Sequence, residues 1–256
     1  MAYFERTAAN TFRATTHVGG AWKTDEQHIA PALGLLTHAV ERDRDDRRDD
    51  GLVVGRVSFD ILGVLPLAEC DIDVTVLRPG RTIELVEAVL SHGGRAAVRM
   101  RAWLMQIRPT DAVAGTSLSR IAPPEECEPW DPTTVWPGGF IESVEVRRTL
   151  TEPGRGVFWV RTPLPLVADE KVSDLASAVG LFDIANGMVT RADPGAVAFP
   201  NLDLTAHLYT EPRGEWVGFD TTVSFGADGL GLTSTVLHDV HGPIGTSSQI
   251  LTVRPN

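Results

Sequence analysis

The stretch Asp169-Glu170-Lys171-Val172-Ser173-Asp174-Leu175-Ala176-Ser177-Ala178-Val179-Gly180-Leu181-Phe182-Asp183-Ile184-Ala185-Asn186-Gly187-Met188 carries the helical signal on which the fold turns. At about 100° per residue, Val172, Ala176, Val179, Gly180 and Gly187 share a face with Asp183, while Lys171, Asp174 and Ser177 lie opposite. The period predicts one amphipathic helix over 169–188. Four apolar stretches follow at 202–209, 216–225, 230–239 and 245–253, separated by turn residues at 211–214, 226–229 and 241–243. Such runs, parted by Gly, Pro and Asp, read as an antiparallel meander. A long helix beside a meander is an α+β layer pattern, not the alternation of a Rossmann fold.

Working outward, strands are expected at 144–150 and 156–161, ahead of the helix. The first half repeats the plan. A strand at 11–16 leads through His17-Val18-Gly19-Gly20 to a helix, where Thr24 and Gln27 have capping-box spacing. Ile29, Ala32, Leu33, Leu36 and Val40 form its apolar stripe, and Pro31 fits its first turn. The run 41–50 mixes both charges without an apolar residue and reads as a solvated loop. Strands are then expected at 53–61, 68–77, 82–90 and 95–107. The same element order in both halves is an internal repeat. It divides the chain into residues 1–108, a Pro- and Trp-containing linker at 109–139 that packs down on the surface, and residues 140–256.

Composition narrows the function. The formal net charge of -11 repels nucleic-acid phosphates. No run approaches the roughly 18 apolar residues of a membrane span, and Met1 to Arg6 show no secretory leader. Cys70 and Cys127 suit thiols in a reducing cytoplasm, and two cysteines make neither a disulfide framework nor a typical zinc site. Walker, Gly-x-Ser-x-Gly and His-Glu-x-x-His motifs are absent, so a hydrolase of this sequence would use water directly.

Asp183 is the sharpest anomaly, because a carboxylate on an apolar helix face is costly unless paired, hydrogen-bonded or protonated. A structural Asp bonded to a nearby loop is the competing reading. The alternation of 201–208 places Asn201, Asp203, Thr205 and His207 on one face, which is ordinarily a solvated one. Gln249 shares a strand face with Leu251 and Val253, as a catalytic amide or a satisfied core amide. His238 and His241 flank a turn without a third metal ligand.

The segments 181–186, 200–209 and 215–216, with Phe158-Trp159-Val160-Arg161 and 242–249, resemble the C-terminal half of the bacterial acyl-CoA thioesterase II family. Gly19-Gly20 and the strands from Arg56 to Met105 resemble its N-terminal half. The resemblance implies two tandem hotdog domains, each a curved antiparallel sheet around one long helix. It further implies hydrolysis of a fatty acyl-CoA without cofactor or metal, and a homodimer or larger homo-oligomer. By the family pattern Asp183, Asn201 and Gln249 hold the attacking water. Asn201 departs from that pattern, in which the position carries Thr or Ser. A backbone N–H at the start of the helix, near Gly19-Gly20 or its counterpart, is the implied oxyanion donor. The departure leaves a non-catalytic acyl-CoA or lipid-binding protein as an alternative. A hydratase or dehydratase is a further one, with His17 near the first helix and no evident partner.

Overall fold

The computed structural model describes residues 1–256. Strands β1 (Phe4–Arg6) and β2 (Thr11–Ala14) open the chain, followed by helix α1 (Ile29–Arg47). Strands β3 (Val53–Ile61), β4 (Glu69–Arg78), β5 (Ile83–His92) and β6 (Arg95–Met105) complete the first half. Next come β7 (Pro129–Trp130), the single turn α2 (Gly139–Glu142), β8 (Glu145–Glu152) and β9 (Arg155–Arg161). The second half continues with α3 (Asp174–Val179), α4 (Ala185–Met188), β10 (Val197–Ala198) and β11 (Asp203–Leu208). It ends with β12 (Val217–Phe225), β13 (Leu230–Asp239), β14 (Gly242–Thr252) and β15 (Arg254–Pro255).

All strands except β10 and β15 join one 13-stranded sheet, ordered β1-β2-β4-β5-β6-β3-β11-β14-β13-β12-β9-β8-β7. From the middle outward, β3-β6-β5-β4-β2 on one side matches β11-β14-β13-β12-β9 on the other. The predicted repeat is therefore present as a tandem arrangement within one continuous sheet. The seam is the antiparallel pair β3·β11, with Arg56 opposite His207, Ser58 opposite Thr205 and Asp60 opposite Asp203. Period-two alternation buries one face, as in β13 and β14, and the helices cover that face.

Helix α1 is buried on nearly every side from Ala30 to Leu36, which suits a helix enclosed by a curved sheet and a second helix. Its backbone meets that of α3 at Gly34, where an added Cβ would lie 2.7 Å from the Ala176 carbonyl oxygen and 2.8 Å from Gly180 Cα. Pro31 occupies the first turn, as expected.

Three expectations are corrected. The charged run 41–50 is not a loop: α1 continues to Arg47. Glu41 is buried and accepts from Ser173 Oγ at 2.5 Å, while Arg47 and Arg48 each reach the buried Glu84 at 2.8 Å. These tertiary partners supply what the local pattern lacked. The Thr24–Gln27 capping box does not form. Backbone bonds from Gln27 to Leu65 and from His28 to Val18 hold the chain extended, so the helix starts at Ile29 with His28 as its cap. Finally, 169–188 is not one helix. It ends at Val179, makes a 3-10 turn over Phe182–Ile184 and resumes as α4, with Asp183 at a non-helical φ of -80° and ψ of 19°.

The segment between β6 and β8 is packed down. Trp159 Nε1 donates to the Ala122 carbonyl at 2.8 Å, and Trp136 Nε1 donates to the Gly187 carbonyl at 2.8 Å. The Gly34 contact yields a test by sign. Helix propensity alone makes Gly34→Ala stabilising by about 1 kcal/mol. The backbone contact with α3 instead makes it destabilising, by about 1–3 kcal/mol for an overpacked site, in urea unfolding.

Candidate active site

Asp183 is carried by the broken turn between α3 and α4. Phe182 anchors that turn edge-on against Phe219, at 6.5 Å between ring centroids, and Phe219 is itself stacked on Phe158 at 4.4 Å. The break directs Asp183 to the end of the sheet where β11 begins and β14 closes. Asn201 reaches the same point through a change of register. Within β11, Thr205 faces Ser248, but Asn201 faces Leu251, one residue short of regular pairing. Asp203 Oδ1 accepts the Ile250 N–H at 2.7 Å at this irregularity. A one-residue slip turns a side chain to the opposite face. Asn201 thus leaves the face expected from strict alternation and joins Gln249 and Leu251 on the inner one.

The three polar side chains meet. Asp183 Oδ1 accepts from Asn201 Nδ2 at 2.5 Å and from Gln249 Nε2 at 2.8 Å. Asp183 Oδ2 has no hydrogen-bond partner in the protein and is not sealed from its surroundings. Gln249 Oε1 is buried and unpaired. Asp183, only 5% exposed, lies between a cavity of about 150 Å³ and an adjoining one of about 30 Å³. Gly20, His28, Ile29, Ile61 and Val64 of the first half help line the larger, together with Asn186 and Asn201. Trp22, Trp136, Ile141 and Met188 line the smaller.

Burial pushes the Asp183 carboxyl up to about 7. The bonds from Asn201 and Gln249 oppose that rise, and the nearby charge of Asp203 adds to it. The result is a carboxylate basic enough to take a proton near neutrality.

The amides of Gly19 and Gly20 themselves are not free to act as the expected oxyanion donor in this conformation. Gly19 N–H donates to Thr16 O at 3.3 Å and Gly20 N–H to Glu26 O at 3.1 Å, so both amides are engaged. These residues instead allow a close approach of backbones: an added Cβ on Gly20, at φ +121°, would lie 2.5 Å from the Pro137 carbonyl. Ile29 N–H, the first of α1, has no protein acceptor, and Ile29 helps line the larger cavity. His28 and Asn186 were not singled out as functional residues in the sequence. The signal available was a polar residue at the start of an apolar helix. His238 faces the carbonyls of Val236 and Ser119 through its two ring nitrogens, and no group of three His, Cys, Asp or Glu side chains is placed to hold a metal.

A family model for the acyl-CoA thioesterase C-terminal domain matches residues 124–253, and one for the N-terminal domain matches residues 18–105. The chain belongs to the acyl-CoA thioesterase family. As a thioester hydrolase with the double-hotdog fold, it resembles several solved structures. A protein assigned as a thioesterase from Novosphingobium aromaticivorans matches with a TM-score of 0.74 and 20% identity, over 98% of each chain. A hot dog fold protein of unknown function from Alicyclobacillus acidocaldarius matches with a TM-score of 0.76 and 11% identity, over 97% of this chain and 95% of that one. An acyl-CoA thioesterase II from Mycobacterium marinum gives 0.69 and 15%, over 99% and 96%. At these identities the structural likeness carries the fold alone. Comparison with curated proteins gives no match.

The raised Asp183 contributes to the pH dependence of this thioesterase's stability. A carboxyl near 7 when folded and near 3.8 when unfolded binds its proton more tightly in the native state. Its contribution is full below pH about 4 and is lost as pH rises through about 7. Asp183→Asn therefore gains stability relative to the natural protein between pH 4 and 7, by up to roughly 4 kcal/mol, and no further above. Urea titrations of both proteins across that range measure the difference.

Proposed function

We propose that this thioesterase hydrolyses a fatty acyl-CoA to free acid and CoA by direct attack of a water held at Asp183, Asn201 and Gln249. One observation carries the reading: Asp183 Oδ1 is held by two amides while Oδ2 is left free at a cavity. A carboxylate oriented through one oxygen is fixed for proton transfer through the other. Asp183 Oδ2 takes a proton from water as the water oxygen adds to the thioester carbonyl carbon. The carbonyl electrons move onto oxygen, where the unpaired Ile29 N–H is a donor. Collapse expels the CoA thiolate, which recovers the proton from Asp183. Asn201 spans to the carboxylate directly, so an amide here performs the orienting role that the family pattern gives to a hydroxyl. The acyl group faces the apolar wall of Trp22, Trp136, Ile141 and Met188, and no metal or cofactor enters the scheme.

Free-thiol release from a panel of acyl-CoAs tests the reading. Binding without release would instead make the protein a non-catalytic acyl-CoA carrier, and hydration of an enoyl-CoA would favour a hydratase. Asp183→Asn is expected to lower kcat by about 10²–10⁴-fold, since the amide has the same shape but cannot take the proton. In the natural protein, kcat/KM rises with pH to a plateau above about 7, because the carboxylate is the active form. Asn201→Ala removes a bond that favours the charged carboxylate, so the acid limb of that profile moves to higher pH. A limb that stays in place would exclude Asp183 as the titrating base.

A further inference from the structure

His28 closes the extended segment that follows Gly20 and caps α1. Its backbone is extended, at φ -64° and ψ 133°, and its Nδ1 accepts from Ala30 N–H at 3.1 Å. A ring nitrogen that accepts a hydrogen bond carries no proton, so the single proton of the neutral imidazole sits on Nε2. Protonating Nδ1 as well would set two N–H groups against each other. Packing reinforces the neutral form: the ring lies on Phe140, 4.4 Å between centroids, and burial pushes His28 down to about 3.

Nε2–H has no acceptor within the protein, although it is not a sealed, unpaired atom. His28 helps line both cavities that flank Asp183. The two residues come from different halves of the chain and differ in kind. Asp183 presents a free acceptor oxygen, whereas His28 presents a free donor. Thioester hydrolysis needs that combination, an acceptor for the proton of water and a donor where charge collects on the carbonyl oxygen.

We propose that His28 is a catalytic residue whose Nε2–H donates to the thioester carbonyl oxygen and stabilises the negative charge that develops there as water adds. The proton stays on Nε2 throughout. The carbonyl electrons move onto oxygen during addition and return when the carbon–sulfur bond breaks. Together with Ile29 N–H, the imidazole gives the oxygen two donors from the start of α1. This inference rests on the hydrolytic reading of the Asp183 site.

A capping role alone is the competing explanation, and one substitution separates the two. Asn is among the best N-cap residues, so His28→Asn keeps an acceptor for the helix start but lacks a donor at the position of Nε2. The expected result is an unfolding midpoint close to the natural protein's, KM little changed, and kcat lower by about 10²–10³-fold, as for loss of one oxyanion donor. The acid limb of the kcat/KM profile stays where Asp183 puts it. His28→Ala loses cap and donor together and is expected to be both less stable and less active. His28→Asn with kcat within a few-fold of the natural protein overturns the proposal. A second readout needs no turnover. The probe is a CoA thioether in which a methylene separates sulfur from a ketone carbonyl. On its addition, the His28 Nε2–H proton resonance is expected to move downfield. No change in that resonance overturns the proposal whether or not the protein releases thiol. Conversely, a shift without thiol release from any acyl-CoA tells against hydrolysis while leaving the hydrogen bond standing.

Discussion

Five residue pairs along β3 and β11 hold the two halves in register, from Arg56–His207 to Asp60–Asp203. The rest of the molecule is arranged by that seam. Just beyond it, Ile61 N–H donates to the Leu202 carbonyl at 2.9 Å, bringing the end of β3 beside the start of β11. The loop after β3 and the start of α1 are bound to each other through Gln27 and Leu65. They therefore reach the second half at the point where Asn201 and Asp183 lie. The antiparallel pairing places elements of both halves around one cavity, which neither half would enclose alone.

Within that frame, the site depends on two local breaks. A continuous helix through Asp183 would have kept the carboxylate on its expected face, and a regular β11 would have kept Asn201 beside Asp203. The helix gives way just after its glycine contact with α1, and the strand slips by one residue. The strand slip turns Asn201 inward, where it meets the buried Asp183 and donates to its Oδ1. Burial raises the basicity of Asp183 and the amides restrain it, so the carboxyl stays within reach of neutrality.

Much of this was legible in the residues. Apolar runs parted by turn residues marked the principal strands of the sheet, because buried strands concentrate Val, Ile and Leu between polar turns. Gln249 and Asp183 stood out as polar residues among apolar neighbours. The short strands β1 and β7 escaped notice, being too brief to show a period. The extension of α1 through the charged run was hidden because its support comes from Glu84 and Ser173, far away in the chain. His28 was masked by the better-looking cap at Thr24, which loses to the backbone bonds that Gln27 and His28 donate to Leu65 and Val18. The family resemblance drew attention to Gly19 and Gly20, but their own amides are engaged by carbonyls close by in the chain. For α1 and its cap, the miss is a case of tertiary partners outweighing a local preference.

The continuous sheet also bears on dilution. When an enclosure of this kind is assembled from separate chains, its population follows mass action and falls as the protein is diluted. Here the donor side, from α1, and the acceptor side, from Asp183, are encoded in one polypeptide and joined through one seam. Their stoichiometry is fixed at one to one, and the tether keeps their effective concentration high. In the proposed mechanism one half presents hydrogen-bond donors and the other a base, so no single surface has to do both.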